Sequence, residues 1–133
     1  MVVEDDDDLR DLFVELLQQD GWHAHGVADS SAARAAMHTL APDVFVLDFN
    51  LVGETTEGLL GELTSMPSPP AAVLVSAADA ARVVAARHGV PVISKPFDAD
   101  ELLVLVEAAR TRASSARGGR RWLIFPPSML ASA

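Results

Sequence analysis

The sequence predicts an α/β fold in which a doubly wound parallel sheet is covered by helices on both faces. Short apolar runs alternate five times with stretches in which apolar residues recur at helical spacing, and this β-α alternation is typical of parallel sheets. The third run, Val44 to Asp48, is hydrophobic up to its last residue. Strands buried on both faces show this pattern, so we place this run inside the sheet.

The first half of the chain holds three predicted strands and two predicted helices. The strands are Met1 to Val3, Trp22 to Val27 and Val44 to Asp48. The first helix ends near Gly21 and is predicted from apolar residues at helical spacing, namely Leu9, Leu12, Phe13, Leu16 and Leu17. Ser30 is the predicted N-cap of the second helix. Pro42 ends that helix, because proline lacks the backbone N–H that a helix needs.

The second half holds three predicted helices and two predicted strands. In order, we predict a loop over Asn50–Thr56, a helix over Glu57–Ser65, a strand over Ala72–Ser76, a helix over Asp79–His88 and a strand over Val92–Ser94. Gly89 ends the fourth helix, and Asp98 is the predicted N-cap of the fifth. Five such units favour the flavodoxin-like strand order 2-1-3-4-5, which sets strands one and three side by side.

Composition restricts the classes of function. The chain of 133 residues has no cysteine, which excludes disulfides and thiol-based metal sites, and no apolar run approaches the ~18 residues of a membrane span. The formal net charge is −9, and all 19 Asp and Glu precede Arg110. Such an acidic body disfavours direct contact with nucleic acid. Since no signal-peptide pattern follows Met1, we expect a cytoplasmic protein without membrane contact.

A change in composition after residue 112 predicts a domain boundary. Residues 113–119 have a linker composition, and residues 120–125 combine two arginines with four large apolar side chains. We therefore predict one domain over residues 1–112 and a linker-like, basic and apolar tail over residues 113–133, with no second domain. Three interpretations of Trp122 to Phe125 stay open: a partner-binding segment, an edge that packs on the body, or an appended extension.

Polar side chains stand at the ends of four predicted strands. Glu4 and Asp5 follow the first strand, Asp48 ends the third, Ser76 ends the fourth and Lys95 follows the fifth. The carboxyl ends of parallel strands meet at one edge of the sheet, where α/β proteins place their chemistry. We therefore predict that these side chains form one site.

Three carboxylates in one site need a compensating cation. Carboxylates that are held together repel one another and raise their own pKa values. Mg²⁺ relieves this repulsion, because it binds a few carboxylate oxygens and keeps several waters. A carboxylate such as Asp48 can also act as a nucleophile and form an aspartyl-phosphate. Lys95 can then pair with Asp48 or a phosphoryl oxygen, and the Ser76 hydroxyl can donate to another such oxygen.

These residues resemble the motifs of response-regulator receiver domains. The matching segments are Val2–Asp6, Pro42–Asp48, Val73–Ala77 and Lys95–Phe97, and the resemblance covers residues 1–110. The resemblance implies that Asp48 accepts a phosphoryl group from a histidine kinase or a phosphotransfer protein. It further implies that Ser76 and Lys95 contact that group and that Mg²⁺ is held by four residues: Glu4, Asp5, Asp48 and Asn50 through its backbone carbonyl.

The resemblance also implies a signalling module of a two-component or phosphorelay system, and not an enzyme with its own substrate. Receivers generally dock partners on the face formed by the fourth helix, fifth strand and fifth helix, so we expect a downstream protein there. No output domain fits in the remaining residues, so we expect a stand-alone receiver. A homodimer stays open.

Two departures from the family pattern affect the expected mechanism. Val92 stands where many receivers carry a switch aromatic, so the usual coupling of a hydroxyl shift to an aromatic rotation cannot operate in that form. The loop from Asp48 to Gly58 is longer than the family's usual link, which would alter the mouth of the site.

The sequence bears on two alternative functions. A pseudo-receiver would bind partners without phosphorylation; the absent aromatic favours it, and the complete set of polar residues disfavours it. A Mg²⁺-dependent phosphohydrolase would show Asp-x-Asp-x-Thr or Asp-x-Asp-x-Val after a strand. Asn50 follows Asp48 where the second Asp should stand, and Asp7 is followed by Leu9 where Thr or Val should stand. Neither segment fits.

Overall fold

The computed structural model describes residues 1–51 and 54–116, which form seven strands and five helices. The strands are β1 (Val2–Val3), β2 (Gly26–Val27), β3 (Val44–Asp48), β4 (Asn50–Leu51), β5 (Glu54–Thr55), β6 (Ala71–Ser76) and β7 (Val92–Ser94). The helices are α1 (Asp7–Gln19), α2 (Ser30–Leu40), α3 (Glu57–Thr64), α4 (Ala80–His88) and α5 (Ala99–Ala116). No helix in this described part is long and apolar enough to cross a membrane.

The main sheet is parallel throughout and has the order β2-β1-β3-β6-β7. Because β6 and β7 are the predicted fourth and fifth strands, this order confirms the predicted flavodoxin-like arrangement. The register aligns Val3 with Leu47, and Asp48 with Val75. The carboxyl ends of β1, β3, β6 and β7 therefore lie along one edge.

Alternation along the strands divides the core into two clusters, one on each face of the sheet. Phe45 and Leu47 join the cluster that α2, α3 and α4 cover. Val44 and Val46 join the cluster that α1 and α5 cover. Successive residues of a strand point to opposite faces, so a strand that is apolar at every position can supply both clusters.

The second strand is shorter than predicted. We predicted a strand from Trp22 to Val27, but ladder pairing includes Gly26 and Val27. The neighbouring strand β1 offers Val2 and Val3 as its ladder partners. A strand needs such partners, so the sequence pattern alone overestimated its length.

The N-cap of α2 is Asp29, and the prediction of Ser30 was wrong. The Asp29 carboxylate accepts a hydrogen bond from the backbone N–H of Ala32 at 2.7 Å, and Ser30 is the first helical residue. Both residue types favour N-caps, so composition could not distinguish them. The predicted caps at the ends of later helices are confirmed: Asp98 accepts from the Glu101 N–H, and Gly89 adopts a left-handed conformation with φ of 67°.

The predicted loop Asn50–Thr56 contains a short antiparallel pair. Strands β4 and β5 align Asn50 with Thr55, and Leu51 with Glu54. Thr56 is buried, and its N–H donates to the Phe49 carbonyl at 3.1 Å. Residues 52 and 53 lie outside the described part of the chain, so the predicted effect of the longer loop stays a prediction.

Helix α5 continues past the predicted boundary at residue 112 as far as Ala116, the last described residue. Ala113 packs against the α1–α5 cluster, and the buried Ser114 hydroxyl donates to the Arg110 carbonyl at 2.9 Å. Residues 113–116 are therefore helical and not a linker. The contacts of Ala113 and Ser114 with the rest of the domain favour the helix, which composition alone did not indicate. Trp122 to Phe125 lie outside the described residues, as does all of 117–133, so their three interpretations stay open. The predicted division into a domain and a tail also stays a prediction.

Replacing Asp29 with Ala should lower the free energy of unfolding by about 1 kcal/mol, because α2 loses its capping hydrogen bond. Asp79→Ala is the matched control, since Asp79 occupies the N-cap of α4 without a side-chain capping bond. Urea unfolding of both variants measures the difference. An equal loss for both would contradict the assignment of the cap.

Candidate functional site

Asp48 lies at the centre of the polar edge of the sheet. It is the last residue of β3 and is 6% exposed. The Lys95 ammonium lies 3.5 Å from the Asp48 Oδ1 atom, which makes a partly buried ion pair. The backbone N–H of Lys95 donates to the Ser76 carbonyl at 2.9 Å, and the Lys95–Pro96 peptide bond is cis. The end of β6, the strand next to β3, is thus tied to the backbone of the lysine.

Glu4, Asp5 and Asp48 form an acidic cluster. One carboxylate oxygen from each of the three lies within 4.8 Å of the other two. Glu4 is 2% exposed, and its Oε2 atom has no hydrogen-bond partner within the described part of the chain. A buried carboxylate oxygen without a partner is costly. The residues therefore fit a hard divalent cation, which would bind such oxygens.

The proton affinity of Glu4 reflects the crowding of the cluster. Burial, aided by the neighbouring Asp48 carboxylate, raises the pKa of Glu4 from its ordinary value of 4.5 to about 8. The Lys95 charge opposes this effect without cancelling it. The raised pKa favours the protonated form of Glu4 when no metal is bound, and a cation that binds Glu4 would have to displace that proton.

Ser76 ends β6 at the same edge and is buried. Its Oγ atom accepts a hydrogen bond from the Ala78 N–H at 2.9 Å, which fixes the position of the hydroxyl. A hydroxyl can donate one hydrogen bond while it accepts others. Ser76 can therefore still donate to an oxygen that arrives at Asp48.

The β4–β5 pair leaves the Asn50 carbonyl directed away from its partner strand. Residues of an antiparallel ladder alternate between pairs that exchange hydrogen bonds and pairs that do not. Thr56 donates to the Phe49 carbonyl, so Phe49 and Thr56 are a hydrogen-bonded pair. The next pair, Asn50 with Thr55, is therefore one that does not exchange hydrogen bonds. This geometry is compatible with the backbone ligand that we predicted.

Arg10 is a residue of this region that the sequence reasoning missed. Its guanidinium donates to the Glu4 carbonyl at 3.0 Å and forms an ion pair with Asp7 at 2.5 Å. Its side chain lies so close to Gly26 that a Cβ atom there would stand 2.9 Å from the Arg10 Cγ atom. Arg10 therefore holds the backbone that carries Glu4. The available signal was Gly26, since glycine inside a strand often marks a close approach.

The response regulator receiver domain model matches residues 1–107. This chain belongs to that family. Receiver domains of two-component response regulators are signalling domains, and the fold and the polar edge described above agree with the assignment. The family resemblance that we inferred from the sequence is thus confirmed, whereas the role of each residue is a separate question.

Three relatives show how similar the chain is to known receivers. It is 30% identical over 116 residues to the nitrogen assimilation regulatory protein NtrX of Azorhizobium caulinodans, covering 82% of this chain and 25% of the relative. It is 31% identical over 109 residues to the transcriptional regulatory protein CssR of Bacillus subtilis, covering 80% and 48%. The solved receiver domain of NtrX from Brucella abortus matches with a TM-score of 0.74 and 34% identity, covering 83% of this chain and 96% of that chain. The chain thus spans a quarter of the length of the Azorhizobium NtrX and about half of the length of CssR.

The raised pKa of Glu4 predicts a pH dependence of receiver stability. Without divalent cations, the contribution of Glu4 to the free energy of unfolding should be complete below pH 4.5 and should be lost as pH rises through about 8, because the folded state binds this proton more tightly than the unfolded state. Glu4→Gln should remove that part of the slope, and Mg²⁺ should reduce it. Urea titrations of both proteins across this range provide the measurement, and identical slopes would contradict it.

Gly26→Ala should lower the free energy of unfolding by about 1–3 kcal/mol, because the new methyl group overlaps the Arg10 side chain. The cost should shrink in an Arg10→Ala background, which frees the space. Gly61→Ala is the control: its Cβ would meet the nearest atom at 3.7 Å, so the helix should gain about 0.5–1 kcal/mol. If Gly26→Ala lowers the free energy of unfolding equally with and without Arg10→Ala, the close approach of Arg10 to Gly26 does not limit the residue at position 26.

Proposed function

We propose that this receiver domain accepts a phosphoryl group on Asp48 from a histidine kinase or a phosphotransfer protein, with Mg²⁺ bound, and thereby changes partner binding. The observation that carries the proposal is the environment of Asp48. A nearly buried carboxylate at the end of β3 faces an ammonium at 3.5 Å and lies within 4.8 Å of oxygens from two further carboxylates. A structural strand end does not need such a set of charges.

In the transfer, an Asp48 carboxylate oxygen attacks the phosphorus of a phosphohistidine. A P–O bond forms and the P–N bond breaks. The electron pair of the broken bond remains on the imidazole, which takes up a proton. The protein contributes to such a transfer mainly by positioning the reacting groups and neutralising their charge. Lys95 neutralises the phosphoryl oxygens, and Ser76 donates a hydrogen bond to one of them.

Glu4, Asp5, Asp48 and the Asn50 carbonyl would hold Mg²⁺. When bound, the ion supplies positive charge that keeps Asp48 ionised and offsets the charge of the arriving phosphoryl group. Arg10 supports this arrangement by holding the Glu4 backbone at 3.0 Å. Glu4 would have to give up its proton to serve as a carboxylate ligand.

For the partner surface we propose the face formed by α4, β7 and α5. Val83 on α4 is 61% exposed and Val104 on α5 is 70% exposed. Each of the two helices that flank the edge strand thus presents an apolar side chain that a protein partner can cover. The relatives named NtrX and CssR are regulatory proteins longer than this chain, which supports a role in control of another activity.

Incubation with Mg²⁺ and acetyl phosphate should add one phosphoryl group to the intact protein, and Asp48→Asn should abolish the adduct. Intact-mass spectrometry under mild conditions detects this labile acyl phosphate. Asp8→Asn is the matched control, because Asp8 is an exposed acid of α1 outside the cluster. No adduct on the wild type would exclude the proposal and would leave a pseudo-receiver that binds partners without phosphorylation.

A further inference from the structure

Helix α4 is held at both ends by arginine side chains. Near its start, the Arg82 guanidinium donates to the Ser94 hydroxyl at 2.7 Å. Near its end, Arg87 forms an ion pair with Glu57 of α3. The first contact joins α4 to the edge strand β7, and the second joins it to a neighbouring helix.

Ser94 occupies a position that connects the site to α4. It is the last residue of β7, it aligns with Ser76 in the sheet, and Lys95 follows it directly. Val92, two residues earlier, packs against the cluster that includes Ala81 of α4. Because alternate strand residues point to the same face, Ser94 also points toward α4.

The bond from Arg82 differs from the other arginine contacts of the described chain. Arg10, Arg87 and Arg110 each bind a carboxylate, whereas the recorded partner of the Arg82 side chain is a neutral hydroxyl. A hydrogen bond with one charged partner is about twice as strong as a bond between two neutral groups. The Arg82–Ser94 contact can therefore fasten the start of α4 to β7.

We propose that the Arg82–Ser94 hydrogen bond couples the phosphorylation state of Asp48 to the position of α4. This inference rests on the proposed function. When Asp48 carries a phosphoryl dianion, the Lys95 ammonium exchanges its contact with Oδ1 for contacts with phosphoryl oxygens. Movement of Lys95 displaces the adjoining Ser94, and Arg82 transmits that displacement to the first turns of α4. Arg82 and Ser94 are positioning residues, and neither contacts the reacting atoms.

The link also offers a route for the coupling that Val92, in place of the usual switch aromatic, cannot provide. Valine has no hydroxyl or aromatic ring that could connect β7 to a moving group. Within the described residues, the recorded side-chain hydrogen bond between β7 and α4 is the one from Arg82 to Ser94. The coupling therefore runs through the last residue of β7 instead of its first.

Hydrogen–deuterium exchange of the full chain, with and without acetyl phosphate and Mg²⁺, tests the link. In the wild type, phosphorylation should change the protection of α4 amides by about fivefold or more. Ser94→Ala and Arg82→Gln should form the adduct to the wild-type extent, yet their α4 protection should change by clearly less than about fivefold, the lower end of typical coupling. Ser94→Thr keeps the hydroxyl and should retain the response.

Arg87→Ala is the matched control, because it removes an arginine contact from the same helix without touching β7, and it should keep the response. A wild-type response of α4 in both Ser94→Ala and Arg82→Gln would overturn the link while the proposed function stands. An adduct without any change at α4 in the wild type would also overturn it. Absence of the adduct from the wild type would instead refute the proposed function, and the link with it.

Discussion

Repulsion among carboxylates at one edge of the sheet is the constraint on which the site depends. Parallel strands bring their carboxyl ends together, so Glu4, Asp5 and Asp48 converge whether or not their charges are compensated. The structure meets this repulsion in two ways: Lys95 pairs with Asp48 at 3.5 Å, and burial beside Asp48 favours a protonated Glu4. The edge is thus an electrostatically unfavourable arrangement that the apolar strands behind it maintain.

The elements around this edge divide the work of the domain. Strand ends, which the sheet holds rigidly, carry the acidic side chains and Ser76. Side chains from helices then contact the residues at those ends: Arg10 of α1 donates to the Glu4 carbonyl, and Arg82 of α4 donates to the Ser94 hydroxyl. The proposed chemistry therefore rests on the rigid layer, while the proposed connection to a partner surface rests on side-chain contacts from the helices.

The sequence was informative where a residue's environment follows from its own neighbours along the chain. The apolar run before Asp48 predicted both the bounds of β3 and the place of its carboxylate. Prediction failed for the length of β2, which depends on the extent of its distant partner β1. It also failed for the β4–β5 pair and for the choice of Asp29 over Ser30 as a cap, because local backbone geometry decides these features and composition does not. Arg10 was missed because a bond from its side chain to the Glu4 carbonyl leaves no periodic signal.

The division of the core into two clusters has a consequence for how the docking face can evolve and respond. Helices α4 and α5 flank the same edge strand, yet α4 packs on one cluster and α5 on the other. Substitutions that share a cluster should be energetically coupled, whereas those on opposite faces of the sheet should be close to additive. Repacking beneath α4 can therefore proceed without disturbing α5. The proposed partner face therefore consists of two halves whose substitutions should affect stability almost independently.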